Sequence, residues 1–463
     1  MYSFLKDQGY IWDSGLSGHV VYGPKGKSLK NKLEHYLRYM LQQQLFMEIE
    51  SPLIYKKEIW QSSGHWDKFQ DPIIWTQNKK CFRLDKLVEE YTDKKFEELS
   101  SEELKEILAK INATSTFSKD PLLITDEIEY KSLMMKTTSS HNEAGLRPET
   151  ATATYQNFED CFYLTGKQYP VKVFQIGKSF RNEIATRHNL IRGREFTQLE
   201  SQIALPVDCK DKSSLMVQVD ENCEVQLDTG KISWKDFQEK YKLPLSYLQL
   251  IQLTYQLFIK LDLKPDNVRL RQHLDNEKAF YALDAWDVEV NLKDIGWTEI
   301  AGIHDRGSYD LDKVLTGKLK KKGVPHILEM AIGIDRLIYS ILDNLFEEKE
   351  VQEGKSMLTI PYFLAPVQIC VLPLIKNKPE ICEMSRKVYD MIRPHFVTEY
   401  DEKGGIGKRY LKNAIKGVPY CLTIDFDSLE NNDVTVRDRN TEEQVRVKVD
   451  ELVNHLVTKL ALV

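Results

Sequence analysis

The sequence predicts an α+β chain in two parts. A large strand-rich unit spans residues 1–363 and carries two insertions, and a smaller α/β unit spans 364–463. Three observations lead there. Strand-like runs recur over 171–204 on either side of a charged loop, and again over 286–290 and 297–300. Apolar residues at helical spacing mark 28–46 and 334–345. Beyond Leu364-Ala365-Pro366, which reads as a linker, short apolar strands alternate with helices, the pattern of a compact α/β unit of about 100 residues.

In chain order, Leu29, Leu33, Tyr36, Leu37, Met40, Leu41 and Leu45 define the first helix, with Ser28 as its expected cap and Gly23-Pro24 and Gly26 as punctuation before it. Residues 46–52 alternate as a short strand that stops at Pro52, since proline cannot donate a ladder hydrogen bond. Residues from about 84 to 140 form the first expected insertion, rich in Lys, Glu and Ser, with Ser100-Ser101-Glu102-Glu103 reading as a capped helix start. Residues 206–270 form the second, with a strand at 224–227 and an apolar helix over 248–259. Residues 326–345 read as strand, glycine turn and helix. In the last unit, 367–372 and 420–424 are buried strands and 380–392 and 448–460 amphipathic helices.

With 463 residues and 42% hydrophobic content, the chain can bury a large core, in about two to four domains. No apolar run approaches the roughly 18 residues of a membrane span, and the first residues do not read as a secretory signal. The seven cysteines, Cys81, Cys161, Cys209, Cys223, Cys370, Cys382 and Cys421, form no CxxC pair, which predicts free thiols, no structural zinc and a cytosolic setting. The net charge of −6 leaves nucleic-acid binding to local basic faces, at Lys318, Lys320, Lys321 and Lys322 and at Gly407-Lys408-Arg409; each also reads as a solvated loop.

Phe180-Arg181-Asn182-Glu183, with a loop through Arg187, Arg192 and Arg194 to Phe196, carries the strongest chemical signal. Activating an amino acid with ATP requires a guanidinium on the α-phosphate as charge builds there, an aromatic face for adenine, and an acid to orient an amino group. The segment supplies all three, although a surface hairpin of paired charges would have the same composition. A second signal is Glu329-Met330-Ala331-Ile332-Gly333-Ile334-Asp335-Arg336 at a helix start. Gly333 would admit a nucleotide close to the backbone, and Arg336 would face its far phosphates.

Taken together, these segments and the strand ending at Pro52 resemble the three signature motifs of class II aminoacyl-tRNA synthetases, in their order. Leu146-Arg147-Pro148-Glu149-Thr150-Ala151, Ser63-Gly64-His65-Trp66-Asp67-Lys68-Phe69, Gly296-Trp297-Thr298-Glu299 and Arg306-Gly307-Ser308-Tyr309-Asp310-Leu311 sharpen the resemblance to glycyl-tRNA synthetases of the single-chain homodimeric type. Ile406-Gly407-Lys408-Arg409-Tyr410 and Val436-Arg437-Asp438-Arg439 are similar to that family's anticodon-binding domain.

The resemblance implies an antiparallel catalytic sheet flanked by helices, with glycine, ATP, Mg²⁺ and tRNA-Gly as substrates and partners, and a dimer formed through 28–52. Arg181 would touch the α-phosphate and the glycine carboxylate, Glu183 and Phe196 the adenine, and Arg192 and Arg336 the polyphosphate. Glu149, Glu200 and Glu329 would ring the ammonium, with Arg306 balancing their charge. Glu299 and Glu329 are the candidates near a metal. Lys408, Arg409, Arg437 and Arg439 would meet tRNA.

Two departures stand out. The family usually continues Thr-Ala with glutamine and glycine, where this chain has Thr152 and Ala153, and it has Glu-Pro-Ser where this chain has Glu329-Met330-Ala331. Ala331 thus lacks a hydroxyl expected at the glycine, a loss of about 0.5–1.5 kcal/mol that could also loosen the filter against alanine. A shifted amino-acid specificity, or a non-catalytic synthetase-like accessory protein, are the alternative readings.

Overall fold

The computed structural model describes residues 1–92, 94–114, 116–186, 188, 190–206, 212–217, 219–275, 277–279, 282–347 and 356–460, with the side chains at 97 and 318 also outside the description. Arg187 and Cys209 therefore lie outside the described residues.

A nine-stranded sheet organises the large unit. Its strands are β1 (Met47–Glu48), β2 (Val171–Phe180), β3 (Glu195–Leu205), β4 (Glu224–Leu227), β5 (Gly230–Ser233), β6 (Val268–Gln272), β7 (Asp284–Leu292), β8 (Gly296–Gly307) and β9 (His326–Gly333). Their spatial order is β5-β4-β6-β7-β8-β9-β3-β2-β1. The central pairs are all antiparallel, while β1 on β2 and β4 on β6 run parallel. Apolar positions on one face of these strands pack against helices α1 (Pro24–Gln43), α2 (Leu245–Ile259) and α3 (Ile334–Leu345) in one continuous core that includes Leu33, Phe174, Leu199, Ile251, Trp286, Leu328 and Leu337. The opposite face carries the site beside a second core, in which Val171, Val173, Ala204 and Ile327 pack with Tyr155, Phe158 and Leu311.

Several expectations shift in detail. The first helix starts at Pro24 with Gly23 as its cap, because proline is pre-set for the first helical position. Ser28 and Gly26 therefore lie inside it, and Ser28 Oγ donates instead to Pro366 O at 3.1 Å. Residues 364–366 are no flexible linker: Leu364 and Ala365 are fully buried in the large core, and Lys32 Nζ donates to Ala365 O. Residues 206–270 are built into the main sheet, adding β4, β5 and β6 to one edge and α2 to the core. The region around 84–140 instead forms a small unit with its own core of Ile74, Leu87, Val88, Leu108, Ile111 and Phe117, and its first strand lies earlier, at Gln70–Trp75. The helix Ser101–Asn112 is closed by a reciprocal capping box between Ser100 and Glu103.

The last unit has a five-stranded sheet of β10 (Ile369–Pro373), β11 (Thr398–Tyr400), β12 (Tyr420–Ile424), β13 (Asp433–Asp438) and β14 (Gln444–Lys448), ordered β11-β10-β12-β13-β14. Helices α4 (Pro379–Ile392) and α5 (Ile406–Ile415) provide the crossovers that parallel pairing requires. Among the described residues, no helix is long and apolar enough to cross a membrane.

Candidate active site

The strands β3, β8 and β9 place alternate residues on the face away from the core, because side chains alternate along a strand. A cavity of about 290 Å³ opens over that face. Among its lining residues are Arg181, Glu183, Arg192, Phe196 and Arg336 at one end, and Glu149, Glu200, Arg306, Glu329 and Ala331 at the other, with Glu299 on the rim. Every residue that the sequence assigned to ATP or glycine thus lines one cleft.

Arg181, just beyond the end of β2, is held by its surroundings before any ligand arrives. Its Nε donates to Pro148 O at 3.0 Å, and its guanidinium carbon lies 5.5 Å from the Phe69 ring and 5.4 Å from the Phe196 ring. Arg336, in the first turn of α3, donates from Nε to Ile191 O at 2.9 Å and from Nη1 to Glu299 O at 2.8 Å. One arginine is thereby tied to the loop between β2 and β3 and to β8. Gly333 has an ordinary φ of −76°, so its conformation does not require glycine. A Cβ there would lie 3.3–3.5 Å from the Arg336 methylenes, close packing that a small shift of that side chain would accommodate.

Beneath Phe196 and Arg336 lies a buried polar knot. Asp335 accepts from Thr197 N at 2.5 Å and from the Tyr22 hydroxyl, and Lys30, 4% exposed, donates to Thr197 Oγ1 and sits 3.4 Å from Asp335. The knot ties α1, β3 and α3 together directly under the cavity.

At the acidic end, Glu329 accepts from Tyr155 Oη at 2.9 Å, Gln202 Nε2 at 3.1 Å and Arg306 Nη1 at 2.9 Å. Arg306 also grips Asp310 with two bonds of 2.7 and 2.9 Å. Burial opposes ionisation of Glu329, but the Arg306 guanidinium outweighs it and holds the carboxyl at about 2. Burial works against Glu149 too, yet His65 at 3.4 Å, Arg306 and the Thr152 hydroxyl at 2.6 Å keep it well below the usual carboxylate range. Glu200 goes the other way. Burial and the neighbouring charges of Glu149 and Glu329 push it up to about 8, despite bonds from Thr150 N at 2.7 Å and Thr150 Oγ1 at 2.5 Å. The cluster therefore holds a proton at neutral pH that an incoming cation can displace.

Among the cavity residues that the sequence did not single out are Gln198 and His304. Each lies two positions before a recognised residue, Glu200 and Arg306, and strand alternation alone would have found both. Among the described residues, no group of three or more His, Cys, Asp or Glu side chains is placed to hold a metal. Glu329 does not fit that role, since its oxygens are already bonded, whereas Glu299 keeps a side chain 54% exposed at the cavity rim. The six described cysteines carry free thiols.

The predicted tRNA-contacting residues divide sharply. Arg409 is 2% exposed and donates to Pro373 O, Asp401 O and Leu374 O; Arg439 is 7% exposed and donates to Gly417 O and Ile360 O. Both are buried arginines whose Nη groups bond backbone carbonyls, so neither stands where it was expected, on a surface open to RNA. Arg437 lies over the Tyr410 ring and pairs with Glu442, and only Lys408 is freely exposed.

An antiparallel sheet whose cleft holds opposed arginines on a β-strand pair and a following helix defines a class II tRNA synthetase core, and the comparisons agree. Residues 135–345 match the tRNA synthetase class II core domain (G, H, P, S and T), and residues 368–459 match an anticodon binding domain. The chain is 31% identical to the glycine–tRNA ligase of Methanocaldococcus jannaschii, over 98% of this chain and 97% of that one. It is 32% identical to that of Clostridium tetani, over 99% and 97%. A prolyl-tRNA synthetase from Cryptosporidium parvum shares the fold, with a TM-score of 0.59 at 15% identity, covering 99% of this chain and 76% of that one. The chain belongs to the glycine–tRNA ligase family.

Proposed function

We propose that the chain activates glycine with ATP and transfers it to the 3′ end of tRNA-Gly. The observation that carries this reading is the single cleft with Arg181 and Arg336 at one end and Glu149, Glu200 and Glu329 at the other. A glycine carboxylate oxygen attacks the α-phosphorus, the bond to the bridging oxygen breaks, and pyrophosphate leaves. Arg181, pre-set between two rings, meets the charge that develops on the α-phosphate, and Arg336 and Arg192 hold the far phosphates. Glu183 and Phe196 take the adenine. The terminal ribose hydroxyl of the tRNA then attacks the adenylate carbonyl, and AMP leaves. Such a reaction needs chiefly orientation and charge neutralisation, which the rigid anchoring of both arginines supplies. Mg²⁺ would be held mostly by the substrate phosphates, with the exposed Glu299 carboxylate as a candidate protein partner, and it would neutralise phosphate charge.

The substrate ammonium is received at the acidic end. The ammonium meets Glu149, Glu200 and Glu329, while Ala331 and Gly302 leave the sheet thin beneath the α-carbon. The chain acts in the cytoplasm as a homodimer through its 28–52 region, a reading supported by the exposed apolar side chains of Tyr39 and Leu45 within it and Leu53 and Ile54 just beyond. Glycine-dependent ATP–pyrophosphate exchange tests the activity. Exchange driven by glycine above every other amino acid is expected, and faster exchange with another amino acid refutes the assignment.

A further inference from the structure

One row of cross-strand neighbours crosses the floor of the acidic end: Gln175, Glu200, Ala331, Gly302 and Asp287. Side chains in such a row lie on one face, with directly opposed Cβ atoms about 4.5–5.5 Å apart. Glu200 and Asp287 rise on either side, but Ala331 and Gly302 between them offer nothing beyond a Cβ. The row alone would leave a hollow two residues wide, next to the glutamates that receive the substrate ammonium. A hollow of that kind admits a side chain and cannot by itself select glycine.

The hollow is not left open. His304 lies two positions beyond Gly302 on β8, hence on the same face, and lines the cavity. Its ring leans back over Gly302: a Cβ built there would lie 2.9 Å from His304 Cε1 and 3.3 Å from Nε2. The ring Nδ1 stands 3.4 Å from Glu329 Oε1, and this contact helps keep the Glu329 carboxyl ionised. Glu329 thus anchors one edge of the ring while the opposite edge lies over Gly302.

We propose that His304 is a specificity-determining residue whose imidazole fills the hollow above Gly302 and Ala331, closing the space a substrate side chain would need. The proposal rests on the reading of glycine as substrate. Gly302 is then glycine because the ring occupies its Cβ position, and the small Ala331 is tolerable because discrimination comes from the ring beside it. Rejection is steric, and one extra or missing methylene in a pocket is worth about 10–200-fold.

The test is ATP–pyrophosphate exchange by the full chain with glycine, L-alanine and L-serine, comparing wild type with His304→Ala, His304→Ser and His304→Leu. The ratio of kcat/KM for glycine to that for alanine should fall at least about 10-fold in His304→Ala, mainly through gain of alanine activation, with the KM for ATP within about twofold of wild type. His304→Leu, which keeps the bulk, should hold the ratio to within a few-fold, and His304→Ser repeats the removal if the alanine variant folds poorly. A ratio unchanged in folded His304→Ala or His304→Ser overturns the proposal, as does an equal loss in His304→Leu. A wild-type chain that exchanges no better with glycine than with alanine would instead refute the substrate reading, so the two failures are distinct.

Discussion

Replacing Arg306 with methionine removes one guanidinium and leaves two buried carboxylates without it. The Arg306 side chain is 5% exposed, that of Glu329 4% and that of Asp310 14%, and three bonds of 2.7–2.9 Å join them. Methionine matches the length of the stem, so lost packing is a small part of the effect. Breaking a buried pair by removing one partner costs about 3–5 kcal/mol, because the remaining charge is stranded. At about 2–4 °C per kcal/mol for a large domain, the unfolding midpoint of the catalytic unit should fall by on the order of 10 °C. Arg306 is also the strongest influence holding Glu329 ionised, so the Glu329 carboxyl should rise from about 2 and its grip on the ammonium weaken. Thermal unfolding by calorimetry and glycine KM from pyrophosphate exchange read the two effects. Adding Asp310→Leu removes one stranded charge and should recover part of the stability without restoring glycine binding. A midpoint within 1–2 °C of wild type, with an unchanged glycine KM, would refute the ion-pair reasoning.

Other consequences can be measured in the same assays. Glu200 binds its proton up to about 8 through burial and the charges of Glu149 and Glu329, and only its ionised form attracts an ammonium; glycine KM should therefore fall as pH rises from about 7 to 8.5, and Glu200→Gln should flatten that dependence. Arg181→Ala should lower the rate of adenylate formation by about 10²–10³, while Arg336→Ala should act more on the KM for ATP; unchanged adenylate formation in Arg181→Ala would remove its assigned role. Arg409→Ala strands three buried carbonyls and should destabilise the last unit by at least about 2 kcal/mol, whereas Lys408→Ala should leave stability within about 0.5 kcal/mol and lower the salt slope of tRNA binding; the reverse pattern would return Arg409 to the RNA.

Much of the site was legible because it is carried by local patterns. Arg181, Glu183 and Phe196 bracket two strands that pair in register from Val171↔Ala204 to Phe180↔Glu195, and sequence alternation already shows which residues share a face. Arg336 follows a glycine at a helix start, another local signal. Where sequence reasoning went astray, long-range contacts were responsible. Arg409 and Arg439 have the composition of an RNA-binding face, but carbonyls from distant segments claim their donors. Leu364-Ala365-Pro366 has a linker's composition, yet α1 reaches it through Ser28 and Lys32, more than 300 residues away in sequence.

By itself, the sequence determined the class of the chain, its order of motifs, and which charged groups were available for a nucleotide and an ammonium, since these follow from residue type and short-range periodicity. Only the tertiary structure decided what each charge does. It set Glu200 protonated and Glu329 ionised, though both are glutamates in one pocket, because burial and neighbouring charge belong to the packed state. It also put the His304 ring over Gly302, in the gap that Gly302 and Ala331 leave between Glu200 and Asp287.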